Sequence, residues 1–253
     1  MRKNRILLNF VNRRDMILIS NTKGRFAMKP NPTILHAAVD VMSTTARDVR
    51  PDFDASIASV NHNGLSQAVW ARRGQQITDK FPEDDNIKIR HVQRGGFWQF
   101  EAVVDVQQRE VFLLMTHDNL KALQKRFKAN GYCHHYLFSL LRLNPEAKSE
   151  QQSLFQLDED EEAAREKDCD NILGEFAGEI DRVYVVAFDY AESLPTGGAV
   201  YLLDQNGSTI ESMDISDMLV DQEETTEEDS LGTDPVKRPS ESTPLVKLKI
   251  KKA

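Results

Sequence analysis

Apolar and polar residues alternate most clearly between positions 87 and 115. The segment 87–94 alternates, Gly95 and Gly96 turn the chain, 97–105 alternates again, and 110–115 closes a three-strand meander. On its middle strand Trp98, Phe100, Ala102 and Val104 share one face, while Phe97, Gln99, Glu101, Val103 and Asp105 share the other. One face is therefore expected to be core and the other mixed. The segments 182–190, 199–204 and 209–215 predict a second meander, its last turn made by Gln205, Asn206, Gly207 and Ser208.

Helical spacing accounts for the rest. A first helix is expected over 34–47, entered through Pro30 and Pro32 with Thr33 as N-cap, and a polar turn follows at 51–54. A second over 65–77 buries Leu65, Val69 and Trp70. A third, capped by Thr116 or Asp118, turns Leu120, Leu123 and Phe127 inward and stops at Gly131. A fourth over 132–143 is apolar nearly all round and ends at Asn144 and Pro145. A fifth ends near Phe176 and Gly178. The fold class predicted is α+β: two three-strand antiparallel meanders with four to five helices, followed by a disordered acidic tail.

The chain divides accordingly. Residues 1–29 form a basic extension in which Asp15 is the one acid, and a natural start at Met16 or Met28 is expected. Residues 30–220 form one α+β body with an acidic linker and helix near 146–176. Residues 221–243 form an acidic, proline-bearing spacer expected to be disordered, and 244–253 a peptide in which Val246, Leu248 and Ile250 alternate with Lys247, Lys249 and Lys251.

Charge sharpens this division. The formal net charge is −8, yet Lys and Arg outnumber Asp and Glu 23 to 15 through Glu150 and are outnumbered 9 to 25 beyond it. The basic groups Arg72, Arg73, Lys88, Arg90, Arg94, Lys121, Lys125, Arg126 and Lys128 are candidates for binding nucleic-acid phosphates. Two cysteines, Cys133 and Cys169, make no disulfide framework, which suits a reducing cytoplasm. The apolar runs 111–115 and 183–188 are far shorter than the ~20 residues a membrane helix needs, so no membrane partner is expected.

Catalytic signatures are sparse. Cys133, His134 and His135 are adjacent, and neighbours on a helix point about 100° apart, so no metal site is expected there; no cofactor motif is present either. The order helix, three strands, helix, strand resembles the core of restriction-endonuclease-like nucleases. Those enzymes hold a metal with an acid on one strand and an acid-x-Lys triplet on the next. Glu101 or Asp105 and Glu110 are the matching catalytic candidates, but Glu110 is followed by Val111 and Phe112, without the lysine.

The stretch Gly96-Phe-Trp-Gln-Phe-Glu-Ala-Val-Val-Asp105, the run 110–115, the helix opening Leu120-Lys-Ala-Leu-Gln-Lys125 and His134-His-Tyr-Leu137 resemble an uncharacterised bacterial family of unknown function associated with mobile elements. That resemblance implies a bacterial cytoplasmic accessory protein and transfers no site residues. The expected function is non-enzymatic interaction with an unidentified protein partner through Leu245, Val246, Leu248 and Ile250 of the tail. The alternative is a nucleic-acid-binding or degenerate nuclease-like protein using the first-half basic surface. The terminal peptide also reads as a strand of the protein's own sheet.

Overall fold

The computed structural model describes residues 28–82, 84–96, 98–146 and 159–220. Most of the basic extension and of the acidic linker, Phe97, the spacer 221–243 and the terminal peptide with Leu245, Val246, Leu248 and Ile250 lie outside the described residues.

Six strands form one sheet in the order β1-β2-β3-β4-β5-β6: β1 (Ile87–Arg94), β2 (Trp98–Asp105), β3 (Glu110–Thr116), β4 (Arg182–Ala191), β5 (Leu194–Leu203) and β6 (Thr209–Asp214). Neighbours are antiparallel except β3 and β4, which pair in parallel from Glu110 with Arg182 to Thr116 with Phe188. The two expected meanders are therefore halves of a single mixed sheet. Parallel neighbours need a long crossover. It is supplied by α4 (His117–Asn130), α5 (Tyr136–Leu141) and α6 (Glu159–Leu173), followed by a 3-10 turn at Gly174–Phe176.

Both faces are buried at the centre of the sheet, while β2 keeps the mixed face expected of it, with Gln99 exposed, Glu101 half-buried and Val103 buried. In β4, Val183, Val185 and Ala187 join Leu120, Leu123, Leu137, Leu140 and Ile172 beneath α4, α5 and α6. The intervening Tyr184, Val186 and Phe188 pack on the opposite side with Ile34, Ala38 and Met42 of α1 (Pro32–Ser43) and Ile77 of α3 (Leu65–Lys80). A strand covered on both faces needs a continuous apolar run rather than alternation. The runs 111–115 and 183–188 are such central strands.

Seven α-helices occur among the described residues, against the four to five expected. The predicted first helix stops at Ser43, and its N-cap is Asn31, whose side chain accepts from Thr33 N, with Pro32 in the first turn. The polar turn at 51–54 belongs to α2 (Ala46–Ser56): Thr45 and Asp48 form a reciprocal capping box that starts the helix, and Pro51 is carried inside it. The fourth predicted helix is cut to α5, because His135 caps its start and 132–135 is loop. A last turn, α7 (Asp217–Val220), follows β6.

Candidate functional site

Of the three carboxylates singled out for catalysis, Asp105 and Glu110 are brought together and Glu101 lies apart. Asp105 and Glu110 face each other across the β2–β3 hairpin, while Glu101 sits four residues back along β2, about 13 Å away at strand rise. Asp105 accepts from Asn31 Nδ2 at 2.6 Å and from the amide of Gln108 at 2.8 Å, so it ties the hairpin to the start of α1. Glu110 Oε1 accepts from Arg182 at 3.2 Å, while its buried Oε2 has no partner among the described residues. Burial pushes the Glu110 carboxyl up to about 6, against the pull of Arg182. Among the described residues no group of three His, Cys, Asp or Glu is placed to hold a metal ion.

Glu101 instead belongs to a groove. Pairing between β2 and β3 stops at Ala102 with Leu113, although β2 continues to pair with β1 back to Trp98 and β3 with β4 on to Thr116. The sheet thus opens between 98–101 and 114–116. Helix α3 lies over this opening, since Gly74 at its middle lets the Glu101 carboxylate come against the helix backbone. A cavity of about 300 Å³ results, lined by Trp70, Arg73, Glu101, Trp98, Thr116 and Tyr136 among others. It shares Trp70, Gly74, Trp98 and Glu101 with a recess of about 430 Å³ towards β1, and Trp70, Arg73 and Thr116 with one of about 590 Å³ towards the ends of β4 and α4.

The charges along this groove are mainly acidic. Arg73 is buried and two of its three nitrogens are engaged: Nε and Nη2 bond Thr44 O at 2.9 and 2.7 Å, and Nη2 also reaches Met42 O and the Tyr190 hydroxyl. Its guanidinium sits 4.9 Å from the Trp70 ring centre, and burial holds its pKa below the usual value. Burial also raises the pKa of Glu101, with His91, 3.6 Å away, opposing. Asp118 and Asp189 line the far recess. His117, just behind it, bridges Asp189 at 2.9 Å and the hydroxyl of Tyr201 at 3.1 Å. Trp98 presents 44% of its surface to solvent.

The basic residues grouped by sequence do not form one patch. Arg73 is the buried strut just described rather than a surface cation. Arg90 donates to Ile172 O at 3.1 Å, Arg94 pairs with Asp168, and Arg72 pairs with Asp52 at 2.8 Å. Lys88 is half-buried on β1. Lys121, Lys125, Arg126 and Lys128 stand exposed on the outside of α4 with no ion pair among the described residues. Cys133 is half-buried in a loop, not buried in a helix, and His135 is held below its ordinary range, to about 4, first by burial and then by Arg126 and Arg94.

Trp70 and Trp98 were visible in the sequence as core and strand residues, but their convergence was not. Residues 34–253 match a family described as a family of unknown function, DUF5986. No curated protein matches the chain, and no solved structure matches it.

Proposed function

Because the chain belongs to DUF5986, a family whose description names no activity, we propose a function from geometry: a non-enzymatic interaction protein that takes a protein partner into the groove beneath α3. The observation that carries this reading is that the exposed Trp98 and the half-buried Glu101 line one groove whose arginine is braced by the carbonyls of Met42 and Thr44. Indole rings anchor apolar side chains with little loss of conformational freedom, and interface hot spots are rich in them. Glu101, Asp118 and Asp189 favour a basic group on the partner and disfavour a phosphate. The occupant is therefore a protein segment in which a Lys or Arg lies between apolar side chains. The tail residues Leu245, Val246, Leu248 and Ile250 extend the same proposal as a second contact, on the strength of their alternation. The bacterial, cytoplasmic, mobile-element setting belongs to the proposal too, and rests on the resemblance of 96–137.

Quantitative capture of partners from native cells by the full chain, by Trp98→Ala and by a chain ending at Ser242 tests it. Loss of the partner with Trp98→Ala at unchanged melting temperature is the expected result. Equal capture by Trp98→Ala overturns the groove reading.

A second reading has its own observation. Lys121, Lys125 and Lys128 recur along one side of α4 beside Arg126, a stripe able to neutralise nucleic-acid phosphates. In this reading labelled DNA or RNA binds with strong salt dependence, and replacing the three lysines by glutamate abolishes binding.

A further inference from the structure

The two edges of the sheet differ in charge. β1 carries Lys88, Arg90, His91 and Arg94, whereas β6 carries Glu211 and Asp214 and no cation or proline. An open edge presents unpaired amides and carbonyls, and proteins blunt it with lysine, proline, a bulge or a covering segment. The basic side chains of β1 are such a device. β6 has no lysine or proline, its irregularity lies at the Thr209 end, and Ile210 is left 42% exposed beside it.

The chain itself continues from this edge. α7 follows β6 directly and shelters Met218 and Leu219 against the α1 side of the sheet, so the described residues end at Val220, against α1 and the strand β5 that neighbours β6. Beyond it, 246–251 alternates Val, Leu and Ile with three lysines over six residues, the length of β6. The connecting residues, if flexible, span roughly 27 Å, more than the ~20 Å length of such a strand. The family match also runs on to Ala253 and so includes this peptide.

We propose that residues 246–251 dock in cis on β6 as a seventh strand, their lysines alongside Glu211 and their apolar side chains covering Ile210. Main-chain bonds supply the attachment, and the acidic edge selects the lysine-bearing peptide where the basic edge of β1 repels it. This goes beyond the groove and holds whether or not the groove takes a partner. A docked peptide is withheld from other chains until displaced.

Hydrogen exchange tests it on the full chain, on a chain ending at Ser242, and on full-length Leu248→Asp. The expected result is about tenfold faster exchange of the outward β6 amides in both variants, as for a local opening no longer held shut. It should be independent of protein concentration and reversed in the shortened chain by a synthetic peptide of residues 243–253. Unchanged β6 exchange overturns the proposal. So does protection that grows with protein concentration, which places the peptide on a second copy, and so does a change confined to 98–101, which places it in the groove.

Discussion

Gly74 of α3 and Glu101 of β2 meet so closely that a Cβ on residue 74 would collide with the carboxylate. The helix can lie over the open seam of the sheet because that side chain is missing, and the partly desolvated carboxylate is held against α3 in the groove that Trp98 also lines.

Gly74→Ala separates the site from the fold. Alanine in a helix interior is worth about 1 kcal/mol more than glycine, and the atom in its way is the end of a flexible side chain, which turns aside. The substitution is expected to leave the melting temperature unchanged or raise it slightly. Glu101 then swings towards solvent, and its pKa falls back towards the ordinary carboxylate value because burial is what raised it. An NMR titration of the Glu101 carboxyl carbon reads that fall; an unmoved pKa refutes the account. Partner binding in the groove weakens in parallel.

Glu110 gives a pH dependence. Its carboxyl is raised from 4.5 to about 6, so the folded chain binds this proton more tightly than the unfolded chain. The stabilisation from that proton is full below pH 4.5 and is lost as pH rises through about 6. Across that window the loss is about 2 kcal/mol. Glu110→Gln removes the titration while keeping an oxygen for Arg182, so its unfolding free energy should lose this fall between pH 4.5 and 6 and equal or exceed that of the wild type at pH 7. Urea denaturation at pH 4.5, 5.5 and 7 measures it. A variant less stable than wild type at pH 7 by more than 1 kcal/mol would show that the Arg182 pair outweighs the burial.

Local structure was far more legible than assembly. The turns at Gly95 and Gly207, the alternation of β1 and the caps at Thr116 and Gly131 are encoded within a few residues, and each falls where the spacing puts it. The joining of β3 to β4 is not local, because the partners Glu110 and Arg182 are separated by the whole crossover. Its trace in the sequence is the unbroken apolar character of 111–115 and 183–188, which marks strands covered on both faces. Pro51 concealed α2, although Thr45 and Asp48 spell a capping box. The groove was illegible for the same reason as the sheet: Trp70 and Trp98 come to line one groove through the packing of α3, not by spacing. The nine basic residues looked alike in sequence, and only the fold distinguishes Arg73, a strut, from Lys121 on an open helix face.

That strut is testable. Arg73 satisfies the carbonyls of Met42 and Thr44 at the end of α1 and donates to Tyr190, whose own hydroxyl donates to Met42 O at 2.7 Å. Arg73→Ala leaves these acceptors buried and opens a void beside Trp70, at a cost of about 3 kcal/mol or more. Arg73→Lys keeps the charge but cannot span the same acceptors with one nitrogen, so about 2 kcal/mol is lost. The Tyr190 phenol, already pushed up to about 12 by burial against the pull of Arg73, rises further in Arg73→Ala. Chemical denaturation and ultraviolet titration report the two effects, and a lysine variant as stable as wild type would contradict the fork geometry.

Asn144 carries the sharpest stability prediction. Its buried amide donates to Val183 O at 2.9 Å and Leu203 O at 2.8 Å and accepts from Val183 N at 2.7 Å, so one side chain stitches β4 to β5 as the chain leaves α5. Sequence alone marks Asn144 only as a helix stop before Pro145. Asn144→Ala strands the amide and carbonyl of Val183 and the carbonyl of Leu203 in the core, and each orphaned group costs about 1–3 kcal/mol. A loss of about 3–5 kcal/mol is expected, enough to threaten folding of a domain with ordinary stability. Asn144→Asp should be worse at pH 7, because a carboxylate confronts two carbonyls, and should recover partly at low pH, where one protonated oxygen can donate. Greater stability of the Asp variant at pH 5 than at pH 7, relative to wild type at each pH, is the signature; equal loss at both would refute the role of the charge, and an Ala variant as stable as wild type would mean the bonds to Val183 and Leu203 contribute little.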